Sequence, residues 1–381
     1  MGRTWPNPPV GAYLLCRTTS NEIISYEGYT EKPGRRHAEI VLLDDFDQHR
    51  EEVERAVLFV TLEPCSTYGR TPPCVNRIVN YDFIKTVVVM NRDPLLSGEG
   101  IRILKENGKN IIEPKKKIGP DTSDPFLGGF LGRVNGTGPR LHLKAAAYAD
   151  GMMGRKKERI RISGEESFRF GMALRAKMDA VLVGPGTISV DHPGLNLRKS
   201  CKGDGNIVFE KIKGNDRFID ALLSNSGAIE NLNYDDADYE PERVFILDRA
   251  FDGCKEFYAK QKQLEKITGK KSVFYITESS KSIWTDFEID AILPDLKKEN
   301  FSGELRRRLS ERGYNEVLVE GGAGLFNSMK FLLHEHDRVY LLTSKQFYSG
   351  DKSDAVYLPE FLLKREPVSS YRLGEDDLIV S

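Results

Sequence analysis

Four residues near the start of the chain have the types and order of a catalytic metal site: His37, Glu39, Cys65 and Cys74. One imidazole and two thiolates supply the three protein ligands that catalytic zinc takes, and they leave a fourth position for water. Glu39 lies two residues after His37, where it would not bind the metal but would carry a proton from water to a departing amine. The pattern therefore predicts a zinc-dependent deaminase.

Each part of this pattern also has a simpler interpretation. A single His-Ala-Glu sequence can occur on any surface helix, and isolated cysteines are often buried core thiols. The combination favours the zinc site, because a proline stands beside each cysteine and Cys65 follows an apolar strand. The other thiols, Cys16, Cys201 and Cys254, are expected in the core or on the surface. His49, His334 and His336 lie among charged residues and are expected in solvent.

Apolar runs predict the elements that must position these residues. In the first part of the chain, short runs indicate strands and longer periodic runs indicate helices. The strands are expected at 10–15, 56–62 and 86–90, and the helices at 38–44 and 75–80. Pro72 and Pro73 suit the beginning of the second helix, since proline lacks the N–H that a first helical turn leaves unpaired. The turn-rich segment between Cys65 and Cys74 is expected to form a loop over the site.

From residue 141 onward a second alternation of strands and helices begins. Strands are expected at 141–146, 180–183, 243–247, 273–277, 291–293, 316–319 and 339–342, and helices include 164–177, 302–312 and 323–333. Such alternation is typical of a mostly parallel α/β sheet covered on both faces. We therefore predict a first domain over 1–120, a Pro- and Gly-rich linker over 121–139, and a second domain over 140–381 with a polar surface insertion at about 199–241.

The bulk composition is that of an ordinary globular protein. The 381 residues include 56 Lys and Arg against 57 Asp and Glu, so nothing draws the whole chain to nucleic acid or an anionic membrane. No apolar run approaches the ~20 residues that cross a bilayer, and the first residues lack the apolar core of a signal peptide. We therefore expect a cytoplasmic protein with no nucleic-acid or membrane partner. The five thinly spread cysteines argue against a disulfide framework.

Several longer motifs resemble one known family. TWPNPPVGA (4–12) and TLEPCSTYGRTPPC (61–74) look like the deaminase half of the bifunctional deaminase/reductase family of riboflavin biosynthesis. LKAAAYADGMMG (143–154), the long run 174–198 and VLVEGGAGLFNS (317–328) resemble its reductase half. The resemblance covers nearly the whole chain apart from the polar insertion.

The resemblance implies a cytidine-deaminase-like α/β/α domain followed by a dihydrofolate-reductase-like α/β domain. It implies that the first domain uses Zn²⁺ to hydrolyse the 2-amino group of 2,5-diamino-6-ribosylamino-4(3H)-pyrimidinone 5′-phosphate. The second domain would reduce the ribosyl chain to ribityl with NADPH. The family also suggests a homo-oligomer, although no segment of the sequence demands an interface.

The resemblance further assigns roles to positions of this sequence. Asn7 would hold the substrate at the mouth of the deaminase pocket, and Arg70 would meet its phosphate. In the second domain the substrate-contacting positions are Arg175, Leu195, Arg198 and Glu320. The NADPH-contacting positions are Ala146, Thr187, Asp191, Gly322, Ala323, Gly324 and Leu325. A glycine-rich turn after a strand suits a phosphate, because its free backbone N–H groups point at the anion.

The chain departs from the family pattern in both domains. It begins almost at the first motif, where the family has a preceding helix. Two explanations are open, a start that was placed too late or a helix that is absent, and either would leave an edge of the first domain uncovered. In the second domain Arg159, Arg161 and Arg249 stand where the family has a serine, a tryptophan and a serine. The arginines allow two interpretations: phosphate-binding groups in an active reductase, or a degenerate reductase that serves as a scaffold.

Two other functions are alternatives. A deaminase acting on bases in nucleic acid would need a basic groove or aromatic stacking platforms, which the balanced charge does not favour. A binding protein without activity would have no use for the proton transfer that Glu39 provides.

Overall fold

The computed structural model of the protein describes residues 4–49, 51–69, 71–114, 124–198, 207–224, 240–330 and 333–381. The chain divides into two compact units between Gly138 and Pro139. Each unit has its own main sheet, which apolar strands build and helices cover. Within these ranges, every helix is too short or too polar to cross a membrane.

The first unit contains a five-stranded sheet. Its strands are β1 (Gly11–Thr18), β2 (Ile23–Tyr29), β3 (Val53–Val60), β4 (Ile84–Val89) and β5 (Asn110–Ile112). Its helices are α1 (Ala38–His49), α2 (Cys74–Val79), α3 (Glu99–Glu106) and α4 (Gly128–Val134). The strand order is β2-β1-β3-β4-β5, in which β1 is antiparallel to both neighbours while β3, β4 and β5 run parallel.

A close approach fixes helix α1 against the sheet. A Cβ at Gly28 of β2 would lie 2.2 Å from the carbonyl oxygen of Ala38 and 2.8 Å from the nitrogen of Leu42. Only glycine fits there, because the obstacles are backbone atoms that no side-chain rotation can move. Since Ala38 stands between His37 and Glu39, this contact also determines where the first residues of the metal site lie.

Helix α4 lies inside the segment predicted to be a linker. Its apolar residues Phe130 and Leu131, together with Leu127, are buried in a small cluster around Leu62. This spacing of three and four residues puts the apolar side chains on one face of the helix, although the surrounding glycines obscure the pattern in the sequence. The described residues 124–138 thus form part of the first unit.

The second unit is larger. Its strands are β6 (Arg140–Ala147), β7 (Met152–Arg155), β8 (Ala180–Val183), β9 (Phe209–Gly214), β10 (Glu242–Leu247), β11 (Ser272–Thr277), β12 (Ala291–Leu293), β13 (Glu316–Glu320), β14 (Arg338–Ser344), β15 (Ala355–Tyr357), β16 (Ser369–Leu373) and β17 (Asp376–Val380). Its helices are α5 (Glu165–Arg175), α6 (Pro185–Asp191), α7 (Arg217–Ser224), α8 (Cys254–Thr268), α9 (Phe301–Glu311), α10 (Ala323–Met329) and α11 (Glu360–Leu363).

The main sheet of this unit combines a parallel and an antiparallel part. Seven strands run parallel in the order β12-β11-β10-β8-β13-β6-β14, and they coincide within a few residues with the seven predicted apolar runs. Beyond β14 the sheet continues through antiparallel β17, β16 and β9, while β7 pairs with β15 separately. The carboxyl ends of parallel strands meet at one edge, which is where open α/β sheets bind ligands.

Residues 207–224 match the predicted polar surface insertion only in part, because β9 is exposed along its length whereas α7 buries one face. Strand β9 pairs along β16 as the edge strand, and helix α7 buries Phe218, Ile219, Leu222 and Leu223. These side chains share one helical face, which the surrounding charged and glycine residues conceal in the sequence. The rest of 199–241, including Cys201, lies outside the described residues apart from positions 240 and 241.

The burial of the remaining cysteines and histidines agrees only in part with the prediction from the sequence. Cys16 is a buried core thiol of the first unit, Cys254 is half-buried, and His49 is exposed. His334 is half-buried, whereas His336 is only 9% exposed. The expectation that His336 is solvated was therefore wrong, because its charged neighbours along the chain do not reveal how the loop packs before β14.

Candidate active sites

Three elements bring the predicted zinc ligands together in the first unit. His37 directly precedes helix α1, and its carbonyl oxygen accepts the N–H groups of Ile40 and Val41, each at 3.0 Å. Cys65 lies on the loop after strand β3, and Cys74 is the first residue of helix α2. The N–H of Cys74 donates to Sγ of Cys65 at 3.2 Å, which ties the loop to the helix.

The two nitrogen–sulfur distances match those of a tetrahedral zinc site. Nδ1 of His37 lies 3.5 Å from Sγ of Cys65 and 3.4 Å from Sγ of Cys74, and the three atoms all lie within 4.8 Å of one another. With Zn–N near ~2.0 Å and Zn–S near ~2.3 Å, two ligands of a tetrahedral zinc stand roughly 3.5–3.8 Å apart. The donor set and its spacing therefore fit zinc held by three protein ligands.

The surroundings of the two thiols favour ionisation of one of them. The Cys74 thiol, followed by the His37 ring and the Cys74 N–H, lowers the pKa of Cys65 to about 4 against the opposing effect of burial. The hydrogen bond to Cys65 and then burial raise the pKa of Cys74. One sulfur is thus a ready thiolate, and a divalent cation deprotonates the second as it binds.

Glu39 lies in the first turn of α1 with only 3% of its surface exposed. Burial is the main cause that raises the pKa of its carboxyl to about 7, and the charge of the Cys65 thiolate adds to it. The side chain also makes a hydrogen bond with Cys74, so it lies beside the metal ligands. A carboxyl with this pKa can take up and return a proton near neutral pH, which is what a proton shuttle needs.

Glu63 supports the metal site from behind, a role that the sequence analysis missed. It is 3% exposed, and its carboxylate accepts the N–H of Ile101 at 3.2 Å and the N–H of Asp93 at 3.3 Å. These bonds hold the loop after β4 and the start of α3 against the Glu-Pro-Cys segment. The sequence did offer an indication, since Glu63 stands directly before Pro64 in the loop that carries Cys65. An acidic side chain that is buried there must accept hydrogen bonds from neighbouring groups.

Of the two substrate contacts predicted for the first unit, Asn7 and Arg70, the structure describes only Asn7. Asn7 is half-buried in the turn that its N–H closes with the carbonyl oxygen of Thr4 at 2.8 Å. Arg133 of α4 donates to the carbonyl oxygen of Pro6 at 3.3 Å, so this helix secures the segment that carries Asn7. Arg70 lies outside the described residues.

The second unit has a cleft of about 1070 Å³ at the carboxyl ends of its parallel strands. Ligand pockets commonly measure roughly 300–1,000 Å³, so this cleft has room for more than one small ligand. All eleven reductase positions predicted from the resemblance line it: Ala146, Arg175, Thr187, Asp191, Leu195, Arg198, Glu320, Gly322, Ala323, Gly324 and Leu325. The fold thus brings together residues that are far apart along the chain.

An ion pair forms part of the cleft wall. Nε and Nη2 of Arg175 donate to the two carboxylate oxygens of Glu320 at 2.7 and 2.5 Å. Burial by itself would raise the pKa of Glu320, but Arg175, and then Lys144 and Arg198, lower it to about 2. Glu320 is therefore a carboxylate at any physiological pH, and it holds the Arg175 guanidinium in one orientation.

The glycine-rich turn after β13 fits a nucleotide cofactor. In this turn a Cβ added at Gly322 would come no closer than 3.8 Å to Oγ1 of Thr187, whereas one at Gly321 would lie 3.1 Å from Cδ2 of Leu325. A Cβ at Gly324 in the first turn of α10, or at Gly186 in α6, would meet nothing within 4 Å. These positions line the cleft, so the missing side chains leave open space along its wall. Backbone N–H groups exposed in this way can approach the phosphates of a dinucleotide closely.

The segment between α6 and Arg198 holds a strained backbone at the cleft. His192 and Leu195 have positive φ angles of 41° and 56°, which cost non-glycine residues about 1–3 kcal/mol each. The carboxylate of Glu240 accepts the N–H of Leu197 at 3.0 Å and helps to hold this path. Such strain is retained where the surroundings fix it, and here it places Leu195 in the cleft wall.

Comparison with known proteins accounts for both sites. Residues 1–91 match the cytidine and deoxycytidylate deaminase zinc-binding region. Residues 139–333 match the RibD C-terminal domain, and this second match alone covers just over half of the chain. The riboflavin biosynthesis protein RibD of Haemophilus influenzae is 30% identical over 330 residues, covering 86% of this chain and 77% of that protein. The chain belongs to the RibD family.

Further relatives and solved structures agree with this assignment. The RibD protein of Buchnera aphidicola is 31% identical over 329 residues, covering 85% of this chain and 78% of that protein. Acinetobacter baumannii RibD, at 22% identity, and the Thermotoga maritima deaminase/reductase, at 24%, each align over 100% of this chain and 93% of theirs with a TM-score of 0.66. At these identities the two structures show the fold.

The chain is a RibD-type deaminase and reductase of riboflavin biosynthesis, with both domains present, and it acts on a small-molecule substrate. The predicted family, α/β fold class, bifunctional activity and the cofactors zinc and NADPH are confirmed. The roles of the individual site residues stay predictions.

The three arginines that depart from the RibD pattern all line the cleft. Arg161 pairs with Glu165 at 3.1 Å, and Arg249 lies 3.9 Å from its neighbour Asp248. Arg159 is exposed on the same surface. These positions leave the arginines accessible to an anionic ligand.

Lys144 is a second residue that the sequence analysis missed. It lies opposite Glu320 in the register of β6 and β13, and it lines the cleft. Burial lowers the pKa of its ammonium, while Glu320 partly opposes that effect. A lysine within an otherwise mostly apolar buried strand was the available signal, because buried cations persist only with a partner or a function.

Proposed function

We propose that the chain catalyses two successive steps on one phosphoribosyl pyrimidine. The first unit hydrolyses the 2-amino group of 2,5-diamino-6-ribosylamino-4(3H)-pyrimidinone 5′-phosphate, and the second reduces the ribosyl chain to ribityl with NADPH. One observation carries the proposal: a single RibD-family chain combines a zinc-ligand triad beside a buried glutamate with a cleft that all eleven expected reductase positions line.

In the first unit His37, Cys65 and Cys74 hold the metal. Zinc bound there supplies a Lewis acid that brings the pKa of water close to neutrality. Glu39 takes one proton from the attacking water and gives it to the ring nitrogen. It then takes the second proton, from the hydroxyl that the water has become, and gives it to the departing amine as the carbonyl forms. Because burial keeps the pKa of Glu39 near 7, the carboxylate can do both at neutral pH.

In the second unit the chain positions two ligands. NADPH supplies a hydride to the ribosyl carbon when it is bound. The glycine turn at 321–324 receives the cofactor phosphates, and Thr187 and Asp191 border the same wall. Glu320 orients Arg175 toward the substrate, and Arg198 attracts the substrate phosphate.

The first step is tested by measuring whether the release of ammonia from the diaminopyrimidine phosphate depends on zinc. The protein is stripped of metal with a chelator, assayed, and assayed again after one equivalent of Zn²⁺ is added. Recovery of ammonia release on adding zinc supports the proposal. Full activity in the metal-free protein would contradict the role of the triad.

The arginines at 159, 161 and 249 also favour a second candidate, a deaminase whose reductase-like unit is only a scaffold. NADPH titration separates the two candidates, because an active reductase must bind its cofactor. Binding at micromolar NADPH, followed by cofactor oxidation when the deaminated product is added, supports the bifunctional enzyme. No binding at millimolar NADPH would identify the scaffold.

We also propose that the enzyme works in the cytoplasm, where thiols are kept reduced as zinc ligands require. A homo-oligomer is the assembly that we propose by analogy with the family. Light scattering of the purified chain would give its mass and thus the number of copies.

A further inference from the structure

The reductase cleft is strongly cationic although the whole chain is not. Nine Lys or Arg side chains line it, against four Asp or Glu. The complete chain carries 56 basic and 57 acidic residues, so the excess of basic over acidic side chains is a local property of this cleft. A cleft that concentrates one sign of charge attracts ligands of the other sign, and phosphorylated ligands are the natural class here.

Several of these arginines already have carboxylate partners. Arg175 binds Glu320 at 2.5 Å, Arg155 binds Asp354 at 2.6 Å, and Arg161 binds Glu165 at 3.1 Å. Arg159 and Arg198 differ, because neither makes an ion pair with any residue that the structure describes. Their guanidinium groups are therefore available to an anion that enters the cleft.

Arg198 is held in place by an aromatic ring instead of a carboxylate. Its guanidinium lies over the ring of Phe168, 5.6 Å from the ring centroid. This contact orients the planar guanidinium while leaving its N–H groups free to bind an anion.

Arg159 and Arg198 line the same cleft, and the charge of Arg159 acts on Arg198. Burial lowers the pKa of Arg198, and the like charges of Arg175 and Arg159 lower it further. Arg159 also acts on Asp191, whose half-buried carboxyl has a pKa raised by burial. Glu320 in turn acts on Arg198, so each arginine has a carboxylate in its neighbourhood but no direct ion pair with it. The like charges of the two guanidinium groups still repel, and a doubly charged anion between them removes the repulsion.

We propose that Arg159 joins Arg198 to bind a phosphate monoester in the reductase cleft, at a position where the family pattern has a serine. Two ligands of the cleft carry such a group: the substrate at its 5′ position and the cofactor at its 2′ position. The adjacent Arg175–Glu320 pair favours the substrate. This inference rests on the proposed function for the identity of the ligands.

The test compares phosphorylated and unphosphorylated ligands in matched variants. R159A removes the cation, R159K keeps a charge without the bidentate geometry, and K157A removes a charge from the same basic run at an exposed residue that does not line the cleft. KM and kcat are measured for the deaminated pyrimidine phosphate and for its dephosphorylated form. Dissociation constants are measured for NADPH and NADH by fluorescence, and for ribose 5-phosphate by calorimetry.

We expect R159A to raise KM for the phosphorylated substrate by roughly tenfold, as loss of one charged hydrogen bond does, with kcat nearly unchanged. Its KM for the dephosphorylated form should stay at the wild-type value. R159K should fall between R159A and the wild type, and K157A should match the wild type. The affinity for ribose 5-phosphate should decrease in R159A in parallel with the KM effect.

Three other outcomes are equally informative. Weaker binding of NADPH but not of NADH in R159A would support the phosphate site and assign it to the cofactor. If R159A behaves like K157A with every ligand, the proposal is overturned. Should the wild type show no reductase turnover, the proposed function fails, and calorimetry with ribose 5-phosphate still decides the role of Arg159.

Discussion

The residue that the proposed deamination chemistry needs most is Glu39, whose buried carboxyl we propose as the proton carrier beside the metal ligands. Replacing it with glutamine keeps the shape and removes the exchangeable proton. We expect E39Q to lower the rate of ammonia release by about 10²–10⁴-fold, which is the usual contribution of a general acid–base group. Its zinc content, measured by metal analysis, should remain that of the wild type.

The zinc measurement on E39Q separates chemistry from structure. If E39Q lost its zinc together with its activity, Glu39 would be a structural or ligand residue. Activity close to that of the wild type would remove Glu39 from the mechanism.

The two cysteines of the triad should differ from the other thiols in metal binding. C74S removes a sulfur ligand 3.4 Å from Nδ1 of His37, so we expect it to purify with far less zinc than the wild type. C254S is the matched control, since Cys254 is a half-buried thiol of the other unit. Equal zinc contents in C74S and C254S would contradict the assigned ligand set.

At this scale the sequence predicted the metal site more completely than the reductase cleft. His37, Cys65 and Cys74 lie in short motifs whose chemistry is specific, and the structure brings their ligand atoms within 4.8 Å of one another. The role of each residue, and that of Glu39, stays a prediction. Lys144 was missed because its meaning depends on the register of β6 with β13, which brings it opposite Glu320. A contact across a parallel sheet has no signature in the local sequence.

At the scale of elements, the contact between β2 and α1 positions the metal site. G28A would drive a methyl group into the backbone of α1, with the nearest atom 2.2 Å away. Overpacking of this kind costs about 1–3 kcal/mol or more, and relief would move the start of α1. We expect G28A to lower both the urea midpoint and the zinc content.

G11A is the control for this prediction, because a Cβ at Gly11 would meet only the Thr61 methyl group at an ordinary 3.7 Å. It should unfold near the wild-type midpoint and retain zinc. A G28A protein that also matches the wild type in both measurements would show that α1 can shift without affecting the site.

Helices and strands could be predicted from the sequence where their apolar residues form a clear periodic or continuous pattern. The seven parallel strands are continuous apolar runs, which buried strands must be. Strands β16 and β17 and helices α4 and α7 were missed, because each has few apolar residues or lies among glycines and charges. Their burial depends on tertiary partners, such as Leu62 beside α4, that a local window does not contain.

At the scale of the whole molecule, stability should depend on pH through buried histidines. Burial lowers the pKa of His336 from 6.5 to about 4, so the folded chain keeps this ring neutral where the unfolded chain protonates it. Below pH 6.5 the unfolded state protonates this ring while the folded state does not, so the contribution of His336 to the free energy of unfolding should fall as the pH decreases toward 4. Burial acts in the same direction on His142. The buried carboxyls of Glu39 and Asp179, whose pKa values are raised to about 7, act in the opposite direction.

Urea unfolding at neutral pH and at about pH 5 measures this dependence. The difference between the H336N and wild-type midpoints should change in favour of H336N on going from neutral pH to about pH 5, whereas H49N, which alters an exposed ring, should follow the wild type. An identical pH dependence in wild type and H336N would contradict the burial of His336.

The balanced charge of the whole chain hides a local imbalance. The sequence total argued correctly against a generally basic protein, but it could not show that nine basic side chains converge on one cleft. That convergence comes from the fold, which brings together residues between positions 144 and 260 of the chain. Charge must therefore be judged at the site before a ligand class is inferred.

The central claim is that one chain performs both steps on one substrate, at two separate sites. The most direct measurement is mass spectrometry of the pyrimidine after incubation of the full chain with the diaminopyrimidine phosphate, Zn²⁺ and NADPH. We predict that the product has first exchanged an amine for oxygen and then gained two hydrogens, with the second change absent when NADPH is omitted. A product that exchanges the amine but never gains hydrogen at saturating NADPH would contradict the claim.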